Sequence, residues 1–216
     1  MTDNMTDNRP IIALDADGVL VHYNKAYGTI WNEHFGEQLS VVDATAYHAT
    51  TYWGVTNPER PHGFWDLFKL KGWRNMEAMD GAVEACQKLH AAGYRLVCVT
   101  SMPADKQQDR FDNLRDLGFP IDEVIATGSK FGFKGNPKKE AIEELQPLYF
   151  VDDELRKLKD LSDSIHCVLV DPGHSDSPNE GQDDSYLTMR VESLLDFANR
   201  LLVAPNHQSG VNKVAI

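Results

Sequence analysis

Pro10-Ile-Ile-Ala-Leu-Asp15-Ala-Asp17-Gly-Val-Leu-Val21 is the stretch from which the rest of the chain takes its order. Ile11 to Leu14 form a short apolar run without alternation, bounded by Pro10 in front and by Asp15 to Gly18 behind, the pattern of a central parallel strand buried on both faces. Asp15 and Asp17 therefore stand at the C-terminal end of that strand, where open α/β sheets bind their ligands. Two apart along an extended chain they point the same way, and Gly18 lets the backbone turn aside. Two carboxylates so close repel each other and require a proton or a cation between them. A hard divalent ion such as Mg²⁺, which takes oxygen ligands, would answer that need. A calcium loop of the D-x-D-x-D-G kind would need a third acid and helical flanks, and neither is present.

Outward from this stretch, the chain continues as repeated strand, loop and helix. Tyr23, Tyr27, Ile30, Trp31, His34 and Phe35 recur at spacings of three and four, one face of a helix ending near Gly36. From there to about Asp80 the pattern is irregular and aromatic, and all four tryptophans (Trp31, Trp53, Trp65, Trp73) lie between Tyr23 and Asp80. Alternation then resumes. Asp80 caps a helix closed by Gly93, and Arg95 to Val99 form a second strand ending in Thr100-Ser101. Pro103 opens a helix that runs to Leu117. Glu123 to Ala126 form a third strand, Asn136-Pro137 starts a further helix, and Leu148 to Val151 form a fourth strand ending in Asp152-Asp153. A short helix leads to a fifth strand, Cys167 to Val170, and Val191 to Leu202 read as a closing helix. This order predicts an α/β fold with a Rossmann-like parallel sheet and helices on both faces, since right-handed crossovers return each helix to the sheet. Residues 10–22 and 80–203 would form the core domain, with 23–79 as an insertion after strand one, and 1–9 and 204–216 as flexible tails.

Composition bounds the rest. A chain of 216 residues, 42% hydrophobic, can bury one core and carry one small insertion. A net charge of −12 and a pI near 5.0 repel nucleic acid polymers and anionic membranes, and no apolar run is long enough to span a bilayer. The start, M-T-D-N-M-T-D-N, lacks the basic flank and apolar centre of a signal peptide, so the expected location is cytoplasmic. Cys86, Cys98 and Cys167 each fall within an apolar helix or strand pattern and read as reduced core thiols. A small anion is still possible as a partner if a local cation collects it, and the expected assembly is a monomer or homodimer.

Taken in order, the strand ends carry Asp15 and Asp17, then Thr100, then a lysine-rich loop, then Asp152 and Asp153. This D-x-D, Thr, Lys, D-D series resembles the four motifs of the haloacid dehalogenase (HAD) superfamily, over roughly residues 10 to 170. The resemblance implies that Asp15 attacks phosphorus and that Asp17 serves as general acid and base. It also implies that Thr100 binds a phosphate oxygen with Ser101 beside it, and that Asp153 directly and Asp152 through water hold Mg²⁺ together with the Asp15–Asp17 motif. The third-motif lysine is either Lys138, ahead of Ala141, Ile142 and Leu145, or Lys134, three residues before Pro137. The layout of a small, mainly helical insertion after strand one is similar to the C1 cap of HAD phosphatases.

The implied activity is Mg²⁺-dependent hydrolysis of a small phosphate monoester, a nucleotide or a sugar phosphate, through an aspartyl-phosphate on Asp15. Asp17 speaks for phosphoryl chemistry, because dehalogenases of the superfamily lack this acid. A phosphomutase would keep the same four motifs, and a non-catalytic relative should have lost one of Asp15, Asp17 or Asp153. Within the cap, Tyr47, Tyr52, Trp53, His62, Phe64, Trp65 and Trp73 could stack on a base or sugar or could simply hold the cap together. The run G-W-R-N-M-E-A-M-D-G-A (72–82) with T-S-M-P (100–103) resembles the deoxyribonucleotidases of the superfamily. The acidic loop Asp171 to Asp184 reads as solvated surface, with a partner for the lid as the alternative.

Overall fold

Strand β1 (Ile11–Leu14) forms the middle of a six-stranded parallel sheet in the order β3-β2-β1-β4-β5-β6. The structure is a computed structural model that describes residues 7–56, 63–128 and 135–203. The other strands are β2 (Arg95–Thr100), β3 (Glu123–Ala126), β4 (Tyr149–Asp152), β5 (His166–Val170) and β6 (Met189–Val191). Successive residues of each central strand feed opposite faces, as the pleat requires. Ile12, Leu14, Leu96, Cys98, Val151 and Val168 enter one core layer, and Ala13, Val97, Val99, Phe150 and Leu169 enter the other. Both faces are thus dry, which explains the unbroken apolar runs.

The first layer is covered by α4 (Ala82–Ala91), α5 (Gln107–Asp116) and α8 (Leu194–Val203), through Leu89, Leu114 and Phe197. The second is covered by α6 (Lys139–Leu145) and α7 (Leu155–Leu158), through Ile142, Leu155 and Leu158. Cys86, Cys98 and Cys167 are buried free thiols within these layers. Burial pushes the Cys98 thiol up to about 12 and the Cys167 thiol to about 11. Among the described residues no helix is long and apolar enough to cross a membrane.

After β1 the chain turns through Ala16–Val21 and leaves the sheet. Leu20 and His22 are hydrogen-bonded to Met79 and Glu77, so the outgoing and returning chains run side by side. Between them lie α1 (Tyr23–Phe35), α2 (Ala49–Trp53) and α3 (Phe64–Leu67), the last extended by a wide helical turn, Phe68–Gly72. Helix α1 stops at Gly36, whose φ of 64° provides the left-handed C-terminal cap. Aromatic side chains hold this part together. Tyr27 packs on Phe64 with ring centroids 4.9 Å apart, Trp31 on Phe35 at 4.5 Å, and Phe68 on Trp73 at 4.9 Å. Trp53 lies over Gly28 of α1, where an added Cβ would come within 2.3 Å of its ring, and its Nε1 donates to the Asn24 carbonyl at 2.6 Å.

Several local expectations are corrected. The first residue of the expected closing helix, Val191, belongs to the short edge strand β6, and the helix begins only at Leu194. Gly81 rather than Asp80 stands at the start of α4, with φ 74° and the Leu195 side chain 3.0 Å from where a Cβ would sit. The helix expected from Pro103 opens as a single 3₁₀ turn, Ala104–Lys106, before α5. The loop 171–184 is largely exposed, as its polar composition suggests, and it also straps the segment that lines the cleft. Ser175 Oγ donates to Asp43 at 2.5 Å, and the Tyr47 and His48 amides donate to Asp176 Oδ1 at 2.5 and 3.4 Å. The expected tails, residues 1–9 and 204–216, lie outside the described residues except for 7–9.

Candidate active site

The parallel register places the acidic strand ends next to each other. Leu14 pairs with Val151 in β4, and the Asp15 amide donates to the Val151 carbonyl at 2.9 Å, so Asp15 and Asp152 leave neighbouring strands side by side. Carboxylate oxygens of Asp15, Asp152 and Asp153 all lie within 4.8 Å of one another, and all three residues are buried. Lys138, just ahead of α6 and 1% exposed, reaches between two of them. Its Nζ is 2.6 Å from Asp15 Oδ1 and 2.6 Å from Asp152 Oδ2. Burial works against charge on Lys138, but the carboxylates of Asp15 and Asp152 outweigh it and push its pKa upward, so it stays an ammonium.

One cation does not balance three buried acids. Burial raises Asp152 to about 7 against the pull of Lys138, and burial with the charges of Asp15 and Asp152 raises Asp153 well above the carboxylate range. Hard oxygen donors with excess negative charge at one point fit a divalent cation, and Asp15, Asp152 and Asp153 would hold it. The turn after β1 is shaped around this cluster. Gly18 has φ 84°, and a Cβ there would meet Asp153 Oδ2 at 2.1 Å, so only glycine lets the backbone come this close. Asp153 is fixed from behind by Asn179, which is 6% exposed. Asn179 Nδ2 donates to the Asp153 carbonyl at 2.8 Å, and its Oδ1 accepts from the Leu155 amide at 2.8 Å.

Asp17 departs from the expected set. Its carboxylate stands outside the acidic cluster because Arg110 of α5 holds it, with Nη2 2.7 Å from Oδ1. Burial raises the Asp17 carboxyl above its ordinary range, and the Arg110 charge pulls it back. Thr100, 1% exposed, ends β2, and its carbonyl accepts from the Thr127 amide at 2.9 Å. Ser101 follows it with a buried hydroxyl that has no partner among the described residues. Lys134 lies outside the described residues, as does His62.

A cavity of about 450 Å³ opens against Asp17, Gly18 and Asp153. Its far side is formed by His22 to Lys25, Ala46 to Ala49 and Tyr52, with Pro172 and His174 from the strap. Of the aromatic residues named from the sequence, Tyr47 and Tyr52 reach this cavity, whereas Trp53, Phe64, Trp65 and Trp73 do not line it. Asn24 Nδ2 donates to the Ala46 and Tyr47 carbonyls at 3.2 Å each, so α1 and the strap grip this wall from both sides. Arg110, Asn179 and the unpartnered Nε2 of His22 on the cavity wall were missed by sequence reasoning. Nothing in their sequence neighbourhoods distinguishes them from surface residues.

Comparison with known proteins agrees with this geometry. The model of a family described as 5′ nucleotidase, deoxy (Pyrimidine), cytosolic type C protein matches residues 9–136, more than half of the chain. That span includes β1 with its Asp pair, the whole insertion and the Thr100 strand. No curated protein matches the chain by sequence. Among solved structures, one from Haemophilus somnus 129PT, titled a "predicted phosphoglycolate phosphatase", is similar with a TM-score of 0.59 at 16% identity, covering 91% of this chain and 99% of that one. A HAD family hydrolase from Deinococcus radiodurans R1, solved with bound phosphate and sodium, gives a TM-score of 0.52 at 16% identity, covering 90% and 96%. At such identities the likeness is one of fold, and the fold is that of the HAD hydrolases.

Proposed function

Because the chain belongs to the 5′ nucleotidase, deoxy (pyrimidine), cytosolic type C family, we propose that it is a phosphatase acting on a nucleoside 5′-monophosphate, with Asp15 as nucleophile and Mg²⁺ as cofactor. The observation that carries this reading is the Lys138-bridged pair of Asp15 and Asp152, joined by Asp153 at the head of an aromatic-walled cavity. About 450 Å³ lies within the range of small-molecule sites, and Tyr47 and Tyr52 supply ring faces for a base while Asp15 meets the phosphate.

Mg²⁺, when bound by Asp15, Asp152 and Asp153, would supply charge neutralisation at the phosphate oxygens. The chain's own groups do the rest. Lys138 holds Asp15 in one orientation and keeps a positive charge beside it as substrate phosphate enters. The Ser101 hydroxyl, buried without a partner, and that of Thr100 are donors for phosphate oxygens. In the first step an Asp15 oxygen bonds to phosphorus, the ester P–O bond breaks, and the proton on Asp17 passes to the departing oxygen. In the second, water gives a proton to Asp17, the water oxygen bonds to phosphorus, and the bond from Asp15 to phosphorus breaks. Inorganic phosphate leaves and Asp17 is again protonated.

The test is phosphate release, with Mg²⁺, from a panel of deoxyribo- and ribonucleoside 5′-monophosphates set beside sugar phosphates. Nucleotides should lead the ranking by at least about tenfold in kcat/KM. A sugar phosphate turned over faster than any nucleotide would replace the substrate assignment, and no phosphate release from any ester would remove the enzymatic one.

A further inference from the structure

We infer that Arg110 is the positioning residue for Asp17: a buried guanidinium that ties one carboxylate oxygen and leaves the other facing the cleft. The inference deepens the function proposed above and rests on Asp17 acting as acid and base.

Arg110 is fully buried on α5, among the largest wholly enclosed side chains of the protein. An arginine is rarely sealed off without a charged partner, because the hydration it loses must be replaced by another interaction. Among the described residues its one carboxylate partner is Asp17, at 2.7 Å. The rest of its surroundings hold the group without competing for it. Nη1 lies 3.3 Å from Met76 Sδ, and the guanidinium carbon stands 5.7 Å from the centre of the Trp73 ring. Asn113, three residues along the same helix, is 4% exposed and donates to the Met76 carbonyl at 2.9 Å. Arg110 is therefore braced against the returning chain of the insertion and points at a single target.

The pair is asymmetric. The arginine is sealed, whereas the Asp17 side chain is 29% exposed and lines the cavity. Only Oδ1 is engaged by Arg110, and Oδ2 receives no hydrogen bond from the described residues. A purely structural ion pair would gain from closing both ends, since an open end loses attraction to solvent screening. Here one oxygen is fixed and the other is left to exchange a proton with the substrate. Arginine suits this task, because a guanidinium has donors only and does not surrender its proton. The two buried cations divide the site: Lys138 serves Asp15 and Asp152, and Arg110 serves Asp17.

Rapid-quench measurement of phosphoenzyme formation on the Mg²⁺-loaded enzyme tests this, using p-nitrophenyl phosphate and a simple alkyl phosphate. Nitrophenolate leaves without help and an alkoxide does not, so loss of a positioned acid harms the alkyl ester selectively. Arg110→Met should slow the first step at least about tenfold more for the alkyl ester than for the nitrophenyl ester, a part of the 10² to 10⁴ that general acids supply. In an Asp17→Asn background the same substitution should change either rate by less than about threefold. Arg110→Lys, which keeps a charge in the buried site, should give an intermediate selectivity, and it carries the comparison if Arg110→Met does not fold. Equal losses on both esters, or an undiminished effect in the Asp17→Asn background, would make Arg110 a packing residue. Asp17→Asn with no leaving-group preference would overturn the acid/base reading of Asp17, and this inference with it.

Discussion

Gly18 shows how narrowly a single residue is constrained at this site. Its φ of 84° and the Asp153 carboxylate 2.1 Å from the position of a Cβ leave no room for any side chain. Alanine at φ near +84° would be strained by ~1–2 kcal/mol, and Asp153 would have to swing out of the acidic cluster as well. Gly18→Ala should therefore weaken activation by Mg²⁺ at least about tenfold while lowering the melting temperature only by a few degrees. A Mg²⁺ titration of activity beside a thermal melt checks this. Unchanged Mg²⁺ dependence would mean that Asp153 is not part of the cation site. Residues of this kind differ in how visible they are in the sequence. Asp15, Asp152 and Asp153 end apolar runs, and the strand pattern itself places them. Arg110 sits in Q-Q-D-R-F-D-N-L-R-D, a polar helix in which it looks like any solvated arginine. Its burial depends on Asp17, 93 residues away, and on Trp73 and Met76, which no local pattern connects to it.

At the scale of elements, the strands that form the centre of the sheet were legible because both of their faces are dry, which leaves unbroken apolar runs. Edge strand β6 was not. Met189-Arg190-Val191 is only three residues long, and its Arg190 faces outward to pair with Asp171 and Asp184. The anchoring of the largely exposed strap 171–184 was hidden for a related reason: it consists of hydrogen bonds to backbone and side chains some 130 positions earlier, which a polar composition conceals. This strap supports both the cavity and the acidic cluster. Through Asp176 it fixes Tyr47 and His48 on the cavity wall, and through Asn179 it fixes Asp153. Asp176→Ala should loosen the wall alone, since a charged hydrogen bond contributes ~1.5–3 kcal/mol. The expected outcome is a rise in KM of about tenfold for a nucleotide with little change for acetyl phosphate, which is too small to reach Tyr47. Equal losses on the two substrates would assign the strap a role in stability only.

For the molecule as a whole, the sheet and the insertion divide the labour. The sheet brings Asp15, Asp152 and Asp153 together at one edge, where Lys138 from just ahead of α6 meets the first two, because β1 and β4 are neighbours in register. The insertion, held together by aromatic packing, lends one wall of the cavity and the Met76 and Trp73 contacts that brace Arg110. Chemistry would thus be set by the core and selectivity by the insertion and the strap together. The claim on which all of this depends is that phosphate passes through Asp15. Acid-quenched enzyme, mixed with Mg²⁺ and a nucleoside 5′-monophosphate and then mapped by mass spectrometry, examines that claim directly. Phosphate is expected on the peptide carrying Asp15, and none after chelation or in a folded Asp15→Asn variant. Phosphate on another residue, or undiminished turnover by folded Asp15→Asn, would contradict it.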